Sequence, residues 1–226
     1  MPPQERDTVD KTLPPSSSQF VAEGDTIITK DGKEVGRKVV SIASIAEEKM
    51  QEERTQSDPK LMQIYKTLLQ YGYYAQQQFG THLDKLPVIP QGTTLSAIPI
   101  DYAVPDVEGF RISPGLDSAV TMWIKVKPAE GLTISDYSFK ITKGNEVITP
   151  DIAPNMVGSE IWVGVYLWSD FMNDDYVITV TAKGESVSYT RCMDNALYNY
   201  QAKGTAVNIA KALYTYSEAV DAYFNA

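Results

Sequence analysis

The side chains with the clearest chemical potential in this sequence are tryptophans in two strand-like segments. In VTMWIKV, alternation places Trp123 on the polar face, away from the aliphatic side chains. In SEIWVGVYLW, the same alternation collects four side chains on one face: Glu160, Trp162, Tyr166 and Trp168. Aromatic rings offer flat contact area to a sugar, and a carboxylate accepts hydrogen bonds from its hydroxyl groups. These faces predict a carbohydrate site. The alternative is that helices cover them and that the rings are packing residues.

Two further aromatic candidates, Tyr73 and Tyr74, follow Gly72 in a segment with helical periodicity. They lie off the apolar stripe of that helix, which makes them candidates for ligand contact. The competing interpretation is packing against the edge of a neighbouring element, since tyrosine tolerates half-buried positions.

A cluster of oxygen-bearing side chains follows Trp168 in the segment SDFMNDD. Asp170, Asn173 and Asp174 are suitable ligands for calcium, although their spacing matches no calcium-loop signature. Asp and Asn are also common in turns because they hydrogen-bond to the local backbone. We therefore favour a solvated acidic turn over a metal site.

The composition argues against catalysis. The single histidine, His82, excludes multi-histidine zinc sites, and the single cysteine, Cys192, excludes an intrachain disulfide and cysteine-cluster metal sites. Without a placed partner set, His82 supports no catalytic triad. We expect a non-enzyme that needs no cofactor. A glycoside hydrolase remains an alternative, because folding can bring two carboxylates together from distant positions.

Charge and hydropathy limit the partners. The chain has 20 Lys and Arg against 29 Asp and Glu, for a net charge of -9, which disfavours nucleic acid as a ligand. No apolar run is long enough to cross a bilayer, so we expect no membrane insertion. No charged-then-apolar leader opens the sequence, so we expect any signal peptide to lie outside it.

The pattern of elements predicts an α+β fold. Asp58 as N-cap, Pro59 at the first helical position and Gly80 as the stop indicate a long helix. Period-two segments with frequent turn residues then predict an antiparallel β-sandwich. The clearest strands are 119–127, 137–142, 160–167 and 176–181.

The end of the sequence resembles its beginning. The strand pair in 25–35 parallels that in 175–187, and each is followed by a short and then a long helix. The long helices match at a constant offset of 145 positions: Ile64 with Ile209, Lys66 with Lys211, Leu68 with Leu213, Tyr71 with Tyr216, and Phe79 with Phe224. We expect two helical hairpins, related by an internal repeat, that bracket the sandwich.

The helical segments LMQIYKTLLQYGYYAQQQFG and NIAKALYTYSEAVDAYF resemble the paired signatures of a helix-flanked β-sandwich module found in large secreted and surface proteins of gut Clostridia, which are Firmicutes. GFRISPGLDSAVTMWIKV and DYVITVTAKGESVSYT are similar to strand pairs of that family. The resemblance implies an extracellular or cell-surface, Gram-positive setting beside other modules. Some modules of that family resemble a starch-binding domain in the starch-adherence systems of gut ruminococci. Tyr73 and Tyr74 depart from the small residues usual in the family.

Together these observations predict one folded domain over residues 20–226, after a Pro- and Ser-rich linker at 1–19. Within it we expect strands and a helix pair at 20–80, the sandwich at 87–188 and a second helix pair at 189–226. The expected function is non-catalytic binding of a polysaccharide or oligosaccharide through surface aromatics, with an α-glucan such as starch or a malto-oligosaccharide as the expected ligand. The alternative is a structural or adhesive spacer whose ligand is a protein.

Overall fold

In a computed structural model, the protein is described over residues 24–30, 33–116 and 119–225. The expected linker at 1–19 and the Asp31-Gly32 turn lie outside the described residues. Within those residues the chain forms ten strands and five α-helices, in the mixed α+β class expected from the sequence.

The helices lie towards the two ends of the chain. Their bounds are α1 Ile42–Gln51, α2 Glu53–Ser57, α3 Pro59–Phe79, α4 Met193–Lys203 and α5 Val207–Phe224. The predicted caps of α3 are confirmed. The Asp58 carboxylate accepts from the backbone N–H groups of Lys60 and Leu61, and Gly80 ends the helix in the left-handed region at φ 65°.

The strands form one two-stranded and two four-stranded sheets, all antiparallel. The two-stranded sheet pairs β1 Gly24–Lys30 with β2 Lys33–Val40. The central strands are β3 Phe110–Gly115, β4 Thr121–Val126, β5 Tyr137–Lys143, β6 Glu146–Ile148, β7 Ile152–Val157, β8 Glu160–Tyr166, β9 Tyr176–Ala182 and β10 Glu185–Arg191. One four-stranded sheet has the order β3-β4-β8-β7 and the other β10-β9-β5-β6. The four strands predicted from alternation are confirmed within a few residues at their ends.

The core is a single cluster of buried apolar side chains to which both four-stranded sheets and three helices contribute. Alternation explains the sheet contribution, because Met122, Ile124 and Val126 share one face of β4 and are all buried. Ile141 and Ile178 supply fully buried side chains from the other sheet. Phe110 and Tyr189 link the two sheets by stacking with ring centroids 3.8 Å apart.

The helices pack mainly on one another and on one edge of the β3-β4-β8-β7 sheet. α3 contacts α1 and α5, α4 contacts α5, and α4 also contacts the edge strand β3. The order of a strand pair, a short helix and a long helix occurs at both ends of the described chain. The N-terminal copy of this order differs from the C-terminal copy, because an additional short helix, α2, lies between α1 and α3.

Candidate functional site

The face of the β3-β4-β8-β7 sheet that points away from the core carries the residues of greatest chemical interest. Strand register sets Lys125 opposite Trp162, and Arg111 of β3 opposite Lys125. Glu160 lies on the same face of β8, two residues before Trp162. We call Arg111, Trp123, Lys125, Glu160 and Trp162 the tryptophan face.

Two indoles form the centre of the tryptophan face. The ring centroids of Trp123 and Trp162 lie 5.5 Å apart, and the ring planes are inclined by 54°. The Lys125 ammonium lies 3.6 Å from the centroid of the Trp162 ring, within cation–π range. Both indoles are half-buried, so neither is a fully enclosed core residue.

Two glycines leave space that neighbouring side chains of the tryptophan face and of β7 occupy. A Cβ at Gly115 would lie 2.4 Å from Nε1 of Trp123, so the indole lies directly over a position without a side chain. A Cβ at Gly164 would lie 2.9 Å from Cδ1 of Ile152, a residue of the neighbouring strand β7. In the structure Ile152 fills that space.

Glu160 joins the aromatic and charged parts of the face. Arg111 donates from Nε to Oε1 of Glu160 at 3.0 Å and from Nη2 to Oε2 at 2.7 Å. Nε1 of Trp162 also donates to Oε2 at 3.2 Å. These bonds, the one from Arg111 above all, lower the pKa of Glu160, so the carboxylate stays ionised at neutral pH. The same ion pair raises the pKa of Arg111.

Lys125 is the least exposed charged residue of the tryptophan face, at 8%. Its burial lowers its pKa to about 8, and repulsion from Arg111 adds to the effect. No carboxylate among the described residues forms an ion pair with its ammonium, whose closest partner is the Trp162 ring. An ammonium with N–H donors to spare is an expected place for an incoming acceptor.

Trp168 and Tyr166 lie apart from the two central indoles. Both line a separate cleft of about 280 Å³ together with Phe171 and Lys143. Trp168 is 41% exposed and follows the end of β8, where the chain enters a 3-10 turn at Ser169–Phe171. Strand alternation does not extend to it.

Tyr73 and Tyr74 lie on α3, whose main packing partners are α1 and α5. Their rings meet edge to face with centroids 5.2 Å apart, and the Tyr73 hydroxyl accepts from Nε2 of Gln77 at 2.9 Å. Tyr74 packs against the core cluster. The structure does not bring this pair to the tryptophan face.

The candidate calcium ligands occupy the turn between β8 and β9. Asp174 forms an ion pair with Lys143 at 2.7 Å. Among the described residues there is no group of three or more His, Cys, Asp or Glu side chains that could hold a metal ion. The weak candidates Asp170, Asn173 and Asp174 therefore do not form such a group.

Sequence reasoning missed two members of the tryptophan face, Arg111 and Lys125. Alternation put Lys125 on the face of Trp123, but nothing in the sequence showed that it would lie over Trp162. Arg111 needed the register of β3 against β4, which sets Arg111 opposite Lys125. The residue types themselves, basic side chains beside indoles, were the available signal.

None of the helices in the described part of the chain has the length and apolar character required to span a membrane. Comparisons with protein-family models, with curated proteins and with solved structures find no match.

Proposed function

We propose that the protein is a non-catalytic carbohydrate-binding module and that the tryptophan face is its binding surface. The observation that carries this proposal is the pair of half-buried indoles at 5.5 Å, bordered by the Arg111–Glu160 ion pair. Aromatic rings provide the apolar contact, and charged groups at the border supply donors and acceptors for hydroxyl groups.

An α-glucan is the ligand class that suits this surface best. The planes of Trp123 and Trp162 are inclined by 54°, so the surface is bent. Successive units of an α-linked glucan turn relative to one another and can follow a bent surface. A flat, extended glycan would engage only one ring at a time. Starch and malto-oligosaccharides are therefore the first ligands to test.

The charges on the face support binding over hydrolysis. A glycosidase requires one carboxyl group that holds a proton and a second carboxylate across the scissile bond. Glu160 is held ionised by Arg111 and by Trp162, which disfavours the role of proton donor. The module is expected to leave its glycan intact.

We further propose that the two four-stranded sheets form a sandwich bracketed by two helical hairpins, which are related by an internal repeat. Two observations support the repeat. The order of strands and helices recurs at both ends of the chain. Tyr71 and Tyr216, which correspond under the offset of 145 positions, stack on each other with centroids 6.4 Å apart and planes inclined by 6°. Equivalent residues meet in this way about a pseudo-twofold axis.

The setting that we propose is the outside of a Gram-positive gut bacterium, as one module of a larger surface protein. Support comes from the resemblance of α3 and α5 to the helical signatures of such modules. If the tryptophan face binds no glycan, the same setting favours a spacer with a protein ligand.

Affinity electrophoresis tests the proposed ligand. The parent protein should be retarded in gels that contain starch or glycogen, and less so with mannan, xylan or mucin. Trp162→Ala should weaken retention by about tenfold, or ~1.4 kcal/mol, because a central aromatic carries much of the binding energy. Trp123→Ala should behave similarly.

The matched control is Trp168→Ala, which removes an exposed indole outside the tryptophan face. It should migrate as the parent does, and thermal melting of all three variants separates lost binding from lost folding. A parent protein that no glucan retards would refute the proposal and favour the spacer. Reducing sugar released above a buffer control would favour a hydrolase.

A further inference from the structure

A cleft of about 150 Å³ lies between β3 and α4, beside the tryptophan face. Its wall carries four basic side chains, Arg111, Lys125, Arg191 and Lys203, and one acidic side chain, Asp106. This balance is the reverse of that of the whole chain, whose net charge is -9. A local excess of cations in an acidic protein attracts anions to one place.

The polar groups of the cleft are mostly donors. Ser113 and Tyr200 contribute hydroxyl groups to its wall, and Asn199 contributes an amide. Lysine and arginine have only N–H donors and no acceptor. A ligand with several acceptor oxygens therefore accepts hydrogen bonds from more of the donors in this wall than a neutral donor or a water molecule does.

The basic side chains keep donors available. Arg111 uses two of its five N–H donors on Glu160. Arg191 donates from Nη1 to the backbone oxygen of Thr190 at 2.7 Å, and its guanidinium lies 5.8 Å from the centroids of the Phe110 and Tyr189 rings. This contact fixes the guanidinium at the cleft without neutralising it.

Lys125 is the residue that most favours a bound anion. It is 8% exposed, it lines the cleft, and no carboxylate among the described residues forms an ion pair with its ammonium. Glu160 attracts it only from a distance and is already bonded to Arg111, so a bound oxyanion would supply the direct ion pair that the ammonium lacks.

We propose that this cleft binds an oxyanion, either free phosphate or sulfate or the same group carried as a substituent on a sugar. The cleft, at about 150 Å³, is smaller than the roughly 300–1,000 Å³ of pockets that enclose a drug-sized ligand, which suits one such group and not an oligosaccharide. Arg111 and Lys125 belong to both the cleft and the tryptophan face. A charged substituent of a bound glucan would therefore reach the cleft, a consequence that rests on the proposed function.

Isothermal titration of the full chain with inorganic phosphate and with sulfate tests the site, against chloride at matched ionic strength. Both oxyanions should bind saturably. Lys125→Met keeps the packing of the stem and removes the charge, and it should weaken binding about tenfold. Lys203→Gln, at the exposed end of α4, should weaken oxyanion binding by a smaller factor. It provides a second test of the site if Lys125→Met proves too unstable to measure.

The control variant is Lys140→Met, which removes an exposed charge from the other four-stranded sheet. It should leave oxyanion binding unchanged. Equal weakening by Lys125→Met and Lys140→Met would show a general charge effect and overturn the proposal. So would the absence of saturable binding above the chloride control.

Glucose 6-phosphate and glucose distinguish the two sources of the oxyanion. Tighter binding of the sugar phosphate than of free phosphate supports a group carried on a sugar, and equal binding supports the free ion. These titrations contain no polysaccharide. Failure of glucan retention therefore leaves their result intact, and failure of oxyanion binding leaves glucan retention intact.

The pH dependence provides a further check with sulfate, which does not titrate in the relevant range. Lys125 loses its charge as the pH rises through about 8, so sulfate affinity should fall there. The groups that face Lys125 are Arg111 on β3, Glu160 on β8, and Tyr200, Arg191 and Lys203 across the cleft. Lys125→Met should abolish the fall, and a fall that persists in that variant would assign the titration elsewhere and count against the site.

Discussion

Asp194 provides the sharpest quantitative test of the energetics of this fold. It lies in the first turn of α4 and is 0% exposed. Neither oxygen of its carboxylate has a hydrogen-bond partner among the described residues. Burial raises the pKa of Asp194 from 3.8 to about 7, and repulsion from Glu218 on α5 adds to this. The nearby Tyr102 hydroxyl partly offsets this increase in the pKa of Asp194, although the two groups do not meet the geometry of a hydrogen bond.

The consequence is a loss of stability as the pH rises. The unfolded chain releases the Asp194 proton near pH 3.8, and the folded protein keeps it until about pH 7. Between these values the folded state binds more protons, so the free energy of unfolding falls with increasing pH and then levels off. A change of about three pKa units corresponds to about 4 kcal/mol.

Asp194→Asn keeps the shape of the side chain and removes its titration. Near pH 4 the two proteins should have similar free energies of unfolding. Above about pH 7 the variant should be more stable by about 4 kcal/mol, because only the parent protein then carries a buried charge at this position. Urea unfolding at several pH values measures the difference directly.

Asp84→Asn is the control, since Asp84 is exposed in a 3-10 turn at Leu83–Lys85. It should shift the free energy of unfolding little at any pH. If Asp194→Asn and the parent protein show the same dependence on pH, the burial of an unpaired carboxylate at this position is wrong.

Two glycine substitutions test the geometry of the tryptophan face. Gly164→Ala should destabilise the protein by about 1–3 kcal/mol in urea unfolding, because the new Cβ would lie 2.9 Å from Cδ1 of Ile152. Adding Ile152→Ala should recover part of the lost stability. An unchanged unfolding midpoint for Gly164→Ala would contradict this packing. Gly115→Ala should displace the Trp123 indole, whose Nε1 would lie 2.4 Å from the new Cβ. Weaker glucan retention and altered tryptophan fluorescence are expected, and unchanged values of both would contradict the position of the ring.

Much of the local structure was predictable because it follows from the chain itself. The period of two in a strand places Trp123 with Lys125, and Glu160 with Trp162, whatever the partner strands are. The caps at Asp58 and Gly80 act within a few residues and were read correctly for the same reason.

What the sequence could not show depends on contacts between distant segments. Tyr71 is fully buried because α3 packs against both α1 and α5, which are contacts that the sequence of α3 alone does not reveal. The position of Lys125 over Trp162 follows from the register of β4 against β8. Trp168 was grouped with Trp162 by alternation, but β8 ends at Tyr166 and the chain turns away.

The tryptophan face is organised before any ligand arrives, and this bears on what it can bind. Trp162 is held by a hydrogen bond to Glu160, by the Lys125 ammonium and by contact with Trp123. Trp123 lies over Gly115, where no side chain competes for the space. Rings fixed in this way lose little side-chain entropy on binding, so more of the contact energy remains as affinity.

Lys125 connects the tryptophan face with the cleft. The cation that orients Trp162 also lines the cleft beside β3, so an oxyanion bound there would draw on the same ammonium. Binding of an oxyanion in the cleft should therefore change the contact between the Lys125 ammonium and the Trp162 ring, and so couple oxyanion binding to glucan binding.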